Sequence, residues 1–319
     1  MSLHGAARPV SYWNTTQFLS MLDLTPGEVE TCLDLAASMK AARHAGRSHA
    51  TPLAGQHVAL LFEKPSLRTR STFVIAIREL GGDVIEPPTD VVFGGRESLE
   101  DIARNFERWV FGVVIRTFGQ DRIQRLAAAA PRLRIVNALT NEEHPCQALA
   151  DLLTLRERWG SLRGRTVAFV GDGNNVAASL AQGVGMLGGH VVVASPEGFQ
   201  MSAGVCETVK RVASAGATLR LTTDPIDAVS GADAVYTDVW TSMGQESEAA
   251  ARRAIFAPFQ VNGELMAQAP AGSLFMHCLP AHRGEEVTDE VIDSDISIAF
   301  DQAENRLHTQ KALLALLGS

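Results

Sequence analysis

Short apolar runs alternating with stretches of helical periodicity constrain this chain more than any other feature of its sequence. His57–Phe62 (HVALLF) reads as a buried strand. The apolar positions Phe73, Ile77 and Leu80 follow at helical spacing and are stopped by Gly81-Gly82. The alternation continues with a strand at 83–86, a helix at 97–110, a strand at 113–115, a helix at 121–130 and a strand at 134–136. Upstream, Thr25-Pro-Gly-Glu28 is a capping box with proline at the first helical position, opening a helix towards Ala42. Strands joined through helices of this length pair in parallel, so the first half is expected to be an open α/β domain.

The second half follows the same grammar without repeating the sequence. Thr166–Val170 is a strand, Gly171-Asp-Gly173 turns into an Ala-rich helix, and further strands are expected at 191–194, 217–221, 234–237 and 273–276. The unbroken periodic segment 147–159 reads as a helix joining two domains, and 303–317 as a helix near the end. The expected fold class is therefore α/β, with two doubly wound parallel-sheet domains joined by interdomain helices. A length of 319 residues suits two domains, each with its own core.

Composition excludes several alternatives. No apolar run reaches the ~18 residues of a membrane span. Residues 1–20 mix His4, Arg8 and Asn14 without an apolar stretch, so no signal peptide is expected. Thirty-six acidic against 28 basic residues give a net charge of −8, which argues against a nucleic-acid partner. The cysteines Cys32, Cys146, Cys206 and Cys278 are far apart and contain no C-x-x-C pair, fitting a reducing, cytoplasmic setting.

In open parallel sheets, ligands bind beyond the carboxyl ends of the strands. The residues at these ends are strongly polar here: Glu63 to Arg70 (EKPSLRTR), Arg116-Thr117, Glu143 to Gln147 (EHPCQ), Gly171 to Asn175 (GDGNN), Asp238 to Gly244 (DVWTSMG) and His277 to Pro280 (HCLP). In the first of these, Ser66 can cap a helix whose opening N–H groups, at Leu67, Arg68 and Thr69, form a dianion site with the Arg68 guanidinium. No G-x-x-x-x-G-K-[ST] loop occurs. Gly171-Asp-Gly173 is a weak dinucleotide signal: Val176 stands where a third glycine belongs, and no acidic residue follows the next strand. Asn174 and Asn175 either cap the helix or reach a polar ligand. His144, ahead of Pro145, is expected to be extended at a helix entrance. Cys278 taken alone reads as a small buried hydrophobe, and Cys32 and Cys206 as structural.

Together, Phe62 to Arg70 (FEKPSLRTR), His144 to Gln147 (HPCQ), Asp238 to Gly244, His277 to Arg283 (HCLPAHR) and Glu304-Asn-Arg306 resemble the ornithine carbamoyltransferases, in the same chain order and over nearly all of the sequence. The resemblance implies transfer of the carbamoyl group of carbamoyl phosphate to L-ornithine, giving L-citrulline and phosphate, within arginine biosynthesis. It implies a homotrimer or a multiple of trimers, no metal and no cofactor. It also implies a carbamoyl phosphate domain over 1–143 and an ornithine domain over 144–302, with 303–319 packing back on the first. By the same resemblance Ser66, Leu67, Arg68 and Thr69 hold the phosphate. Arg116, His144 and Gln147 surround the carbamoyl group, and Arg306 closes the anionic site. Asn175, Asp238, Ser242 and Met243 bind ornithine, while Cys278 and Leu279 lie near the reacting carbon. Arg116, His144, Asp238 and Cys278 are the expected catalytic set.

Two positions depart from the family pattern. Leu67 replaces a common threonine, tolerable if that position acts through its main chain. Residues 90–96 lack the glutamine that many members direct at a neighbouring subunit, so either that contact is missing or Arg96 supplies it. Rival readings are a carbamoyltransferase for putrescine or an acylated ornithine, a nicotinamide oxidoreductase and a silent binding member. Asp238, Ser242 and Met243 favour a free α-amino acid.

Overall fold

The computed structural model describes residues 13–241 and 246–318. The first half holds β1 (His57–Phe62), β2 (Asp83–Ile85), β3 (Gly112–Arg116) and β4 (Arg134–Leu139), all parallel in the order β2-β1-β3-β4. Its helices are α1 (Pro26–His44), α2 (Arg68–Glu79), α3 (Thr89–Phe93), α4 (Leu99–Trp109) and α5 (Gln120–Ala129). The helix α6 (Pro145–Trp159) leads to a second parallel sheet, ordered β7-β6-β5-β8-β9, of β5 (Thr166–Val170), β6 (His190–Ala194), β7 (Thr218–Thr222), β8 (Ala234–Thr237) and β9 (Leu274–His277). Around it lie α7 (Asn175–Met186), α8 (Ala203–Val212), α9 (Pro225–Val229), α10 (Ala249–Phe256), α11 (Gly263–Met266) and α12 (Asp289–Ile292). The chain's last helix is α13 (Ala299–Leu317). Among the described residues no helix is long and apolar enough to cross a membrane.

Strand periodicity divides the core into layers. Val58, Leu60 and Val114 face one apolar cluster, while Ala59, Leu61, Val113 and Ile115 face another on the opposite side of the first sheet. In the second sheet Val167, Phe169, Ala234 and Tyr236 join the first cluster, whereas Ala168, Val170 and Val235 face a third. The shared cluster is filled by α1, α6, α7 and α13, so the two sheets are fastened through one common core. α13 packs on α1, α2 and α6, and every residue from Asn305 to Leu317 is buried.

Segment 90–96 is partly helical. Thr89–Phe93 forms a helical turn after Pro88, held by buried Val92 and closed where Gly94 N–H donates to the Asp90 carbonyl. Arg96 beyond it is exposed. The glycines of Gly171-Asp-Gly173 have conformational reasons unrelated to nucleotides. Gly171 has φ +141°, and a Cβ at Gly173 would collide with the Met201 backbone.

Candidate functional site

Both sheets reverse strand order at points that face each other. The first does so between β1 and β3, whose last residues Phe62 and Arg116 are paired; the second does so between β5 and β8, which are followed directly by Gly171 and Asp238. These are the positions where an open parallel sheet leaves a crevice for ligands.

On the first wall, α2 starts without a side-chain cap. Ser66 does not cap it; the N-cap residue is Leu67, exposed to 78%, which has no oxygen to offer, and the first turn carries no acidic residue. The opening N–H groups and the positive end of the helix dipole are thus left for an outside anion. Three guanidiniums converge beside them. Arg68 is half-buried in the first turn, Arg116 is buried at the end of β3, and Arg306 is buried on α13. Among the described residues none of the three forms a salt bridge, and Nε of Arg116 and of Arg306 are buried without a hydrogen-bond partner. Burial, then the nearby charges of Arg306 and Arg68, brings the Arg116 pKa down to about 10. A cluster of buried cations without carboxylates is costly unless an anion completes it.

Thr69 and α6 hold this cluster in place. Arg306 Nη2 donates to Thr69 Oγ1 at 2.5 Å, and Arg306 Nη1 donates to Gln147 Oε1. Gln147 Nε2 in turn donates to Asp151 Oδ1 at 2.8 Å. Asp151 is fully buried and also accepts from Gln302 (2.9 Å) and Tyr236 (3.1 Å); burial pushes its carboxyl up to about 7. His144 sits at the N-cap of α6 with ψ 62°, short of the extended conformation its place before Pro145 implies. The reason is a tether: its N–H donates to Ser179 Oγ at 2.9 Å, and Ser179 donates to Glu143. Burial and the charges of Arg306 and Arg116 hold its imidazole well below the usual histidine pKa, so it is neutral. Its Nδ1 is buried and unpartnered.

The opposite wall is acidic. Asp238 Oδ1 accepts from Val239 N–H (2.8 Å) and from the Cys278 thiol (2.9 Å), and Oδ2 accepts from Asn174 Nδ2 (2.9 Å). Burial, then Asp238, raises the Cys278 pKa well above its ordinary value, so sulfur is kept as a thiol donor and is not merely a hydrophobe. Leu279 takes the left-handed conformation (φ 57°), with its N–H donating to His277 Nδ1 at 2.8 Å. Gln302 Oε1 accepts from His277 N–H at 2.9 Å, so one α13 side chain ties this turn to Asp151. Arg252 pairs with Asp172 and donates to the Trp240 carbonyl, anchoring the segment after Asp238.

Arg68, Thr69, Arg116, His144, Gln147, Arg306, Asp238, Cys278 and Leu279 are thereby gathered at the crevice. Asn175 Nδ2 donates to the Thr140 carbonyl at 2.6 Å, and Asn174, the α7 N-cap, is the amide that meets Asp238. Ser242 and Met243 lie outside the described residues. Asp151, Tyr236 and Gln302 are not marked by the sequence, because they sit on faces where an apolar or helical pattern hides a polar role; Asn174, read there as a cap or a polar contact, is the α7 cap and also donates to Asp238.

The fold and the crevice define a two-domain α/β protein that presents a cation cluster on one sheet and a carboxylate–thiol pair on the other. Residues 16–157 match the model of the aspartate/ornithine carbamoyltransferase carbamoyl-P binding domain, and residues 163–317 match that of the Asp/Orn binding domain. An ornithine carbamoyltransferase of Acidothermus cellulolyticus is 51% identical over 303 residues, 94% of this chain and 96% of the relative. The solved ornithine carbamoyltransferase of Pyrococcus furiosus is 45% identical with a TM-score of 0.92, over 96% of this chain and 98% of that one. That of Thermus thermophilus is 43% identical with a TM-score of 0.85, over 95% and 99%. The chain belongs to the aspartate/ornithine carbamoyltransferase family.

Proposed function

We propose that the chain is an ornithine carbamoyltransferase, moving the carbamoyl group of carbamoyl phosphate to the δ-amine of L-ornithine to give L-citrulline and phosphate. The observation that carries this reading is the convergence of Arg68, Arg116 and Arg306, without carboxylate partners among the described residues, on the uncapped start of α2. Such a receptor fits a phosphate dianion and stabilises it as it leaves. The phosphate rests on Ser66, the Leu67 N–H, Arg68 and Thr69, with Arg306 closing over it. Thr69, Arg116 and neutral His144 donate to the carbonyl oxygen, on which negative charge builds during attack. Gln147 accepts from the carbamoyl NH₂.

The attacking amine has an ordinary pKa of about 10.4, so it must lose a proton before attack. Asp238 and Cys278 orient it and the departing phosphate can take the proton, so no metal or cofactor is required. Asp238 also pairs with the α-ammonium, and Asn175, Ser242 and Met243 bind the remaining α-carbon groups. The Leu279 carbonyl faces the carbamoyl NH₂.

Residues 1–143 serve carbamoyl phosphate and 144–302 serve ornithine. The burial of α13 against α1 and α2 supports the return of the C-terminal segment to the first unit. We place the enzyme in arginine biosynthesis, as for the relative described as anabolic from Campylobacter jejuni, 31% identical with a TM-score of 0.86. Free thiols at all four cysteines support a reducing cytoplasm. A homotrimer, or a multiple of it, is supported by exposed Ile75, Ile85 and Val91 on three consecutive elements that include the edge strand β2. The test is incubation with carbamoyl phosphate and L-ornithine: equal amounts of citrulline and phosphate are expected, and phosphate release without citrulline contradicts the reading.

A further inference from the structure

Away from the crevice, α1 and α13 bring two histidines and a glutamate together. His44 lies in the last turn of α1, and Glu304 and His308 are four residues apart on one face of α13. His44 Nε2 is 2.7 Å from Glu304 Oε1, His308 Nε2 is 3.5 Å from the same oxygen, and ligand atoms of all three lie within 4.8 Å of one another. His308 is fully buried; neither ring nitrogen makes a well-formed hydrogen bond, and Nε2 faces only the Glu304 carboxylate at 3.5 Å. A buried imidazole nitrogen so weakly satisfied is costly and points to a ligand that completes it.

The electrostatics suit a cation. Lys40 Nζ lies 3.8 Å from Glu304 Oε2, but it is held at 3.0 Å by Glu157 and at 2.9 Å by Asn305, so a second carboxylate offsets its charge. Lys311, the other nearby cation, is paired with Glu79 at 2.6 Å.

We propose that His44, Glu304 and His308 bind a divalent transition-metal ion, best matched by zinc, with water completing a four-coordinate shell. Two imidazoles and one carboxylate suit zinc better than magnesium or calcium, which prefer all-oxygen shells. Ligand atoms about 2.0–2.2 Å from a tetrahedral ion stand roughly 3.4 Å apart. The two shorter separations bracket that spacing, and exposed His44 supplies the remaining adjustment. The ion fastens α13 to α1 on the turn that carries Arg306, so it braces the helix that completes the cation cluster without touching the crevice.

The test uses the full-length, chelator-stripped protein titrated with Zn²⁺ by calorimetry and with Co²⁺ by absorption. Because Cys278 and Asp238 are a second potential set of ligands, Cys278→Ser is the control. One ion per chain is expected in wild type and in Cys278→Ser, with cobalt d–d bands but no thiolate charge-transfer band, and zinc should raise Tm in both. His44→Ala, a surface change that leaves the fold intact, should weaken binding by at least about 100-fold and abolish the Tm shift. Glu304→Gln should weaken it similarly. Absence of binding in wild type, binding unaffected by His44→Ala, or binding lost in Cys278→Ser overturns the proposal.

Discussion

Arg306 Nη2 donates to Thr69 Oγ1 at 2.5 Å although 237 positions separate the two residues. The last helix thus completes an anion receptor begun at the start of α2, and the same guanidinium reaches Gln147 on α6. One planar fork joins three elements. A lysine offers a single point charge and cannot make both bonds at once. Arg306→Lys is therefore expected to lower kcat/KM for carbamoyl phosphate by about 10²–10³-fold while keeping the fold, since one aimed donor is typically worth that much. Steady-state kinetics with circular dichroism check it, and wild-type kinetics in the variant contradict it.

Arg68 stands at the open end of α2, where its charge meets the ligand most directly. Arg68→Ala should raise the carbamoyl phosphate KM strongly and lower kcat by about 10²-fold or more. The ornithine KM should move less. Unchanged carbamoyl phosphate kinetics in a folded variant would remove the phosphate assignment of the α2 N-terminus.

The buried carboxyl of Asp151, raised to about 7 from an unfolded value of 3.8, carries its own pH signature. Between those values the folded protein holds a proton that the unfolded chain has released. The Asp151 contribution to stability is therefore present at low pH and lost as pH rises towards 7. The depressed histidines act in the opposite sense: the unfolded chain takes up protons that His144 and His308 refuse, so stability falls as pH drops below about 6.5. Asp151→Asn imitates the protonated carboxyl and removes only the first effect. Its stability relative to wild type, followed by denaturant or thermal unfolding, should rise between pH 5 and pH 8, by up to about 1.4 kcal/mol per pH unit in the titrating range. Parallel melting profiles would show that Asp151 does not titrate there.

Much of this was legible in the sequence because strand ends are marked by chemistry. Apolar runs such as His57–Phe62 break abruptly into charged segments, and such breaks coincide with the two crevice-forming switch points. What escaped has a physical cause. Ser66 looks like a cap, yet Leu67 takes that position, and the empty cap is itself the functional feature. Asn174 and Asn175 are chemically identical neighbours, and only backbone direction decides that the first meets Asp238 and the second Thr140. α13 starts at Ala299, four residues before its expected start, because Gln302 is buried by contacts distant in sequence. Asp151 and Tyr236 lie within α6 and β8, where residue spacing signals only burial.

Gln302 joins the Asp151 network to the turn that carries Cys278 and Leu279. Gln302→Ala would strand the buried His277 N–H and take one donor from Asp151. A loss of about 1–3 kcal/mol of stability is expected for the unpaired group, together with a fall in kcat larger than the change in either KM. Denaturant unfolding and steady-state kinetics measure the two effects, and a loss of stability with kcat intact would make Gln302 purely structural.

The acceptor decides the central claim. A site that pairs Asp238 with an α-ammonium and holds an α-carboxylate leaves those groups unpaired when putrescine binds, and sites of this kind reject such analogues by about 10⁴–10⁵-fold. Allowing for water in the crevice, kcat/KM for L-ornithine should exceed that for putrescine by at least roughly 10³-fold, and Asp238→Asn should damage ornithine turnover far more than residual putrescine turnover. The most direct measurement is that ratio in the wild-type enzyme at saturating carbamoyl phosphate. A ratio of about 10³ or more is predicted, and an enzyme that treats the two amines alike or prefers putrescine would contradict the account.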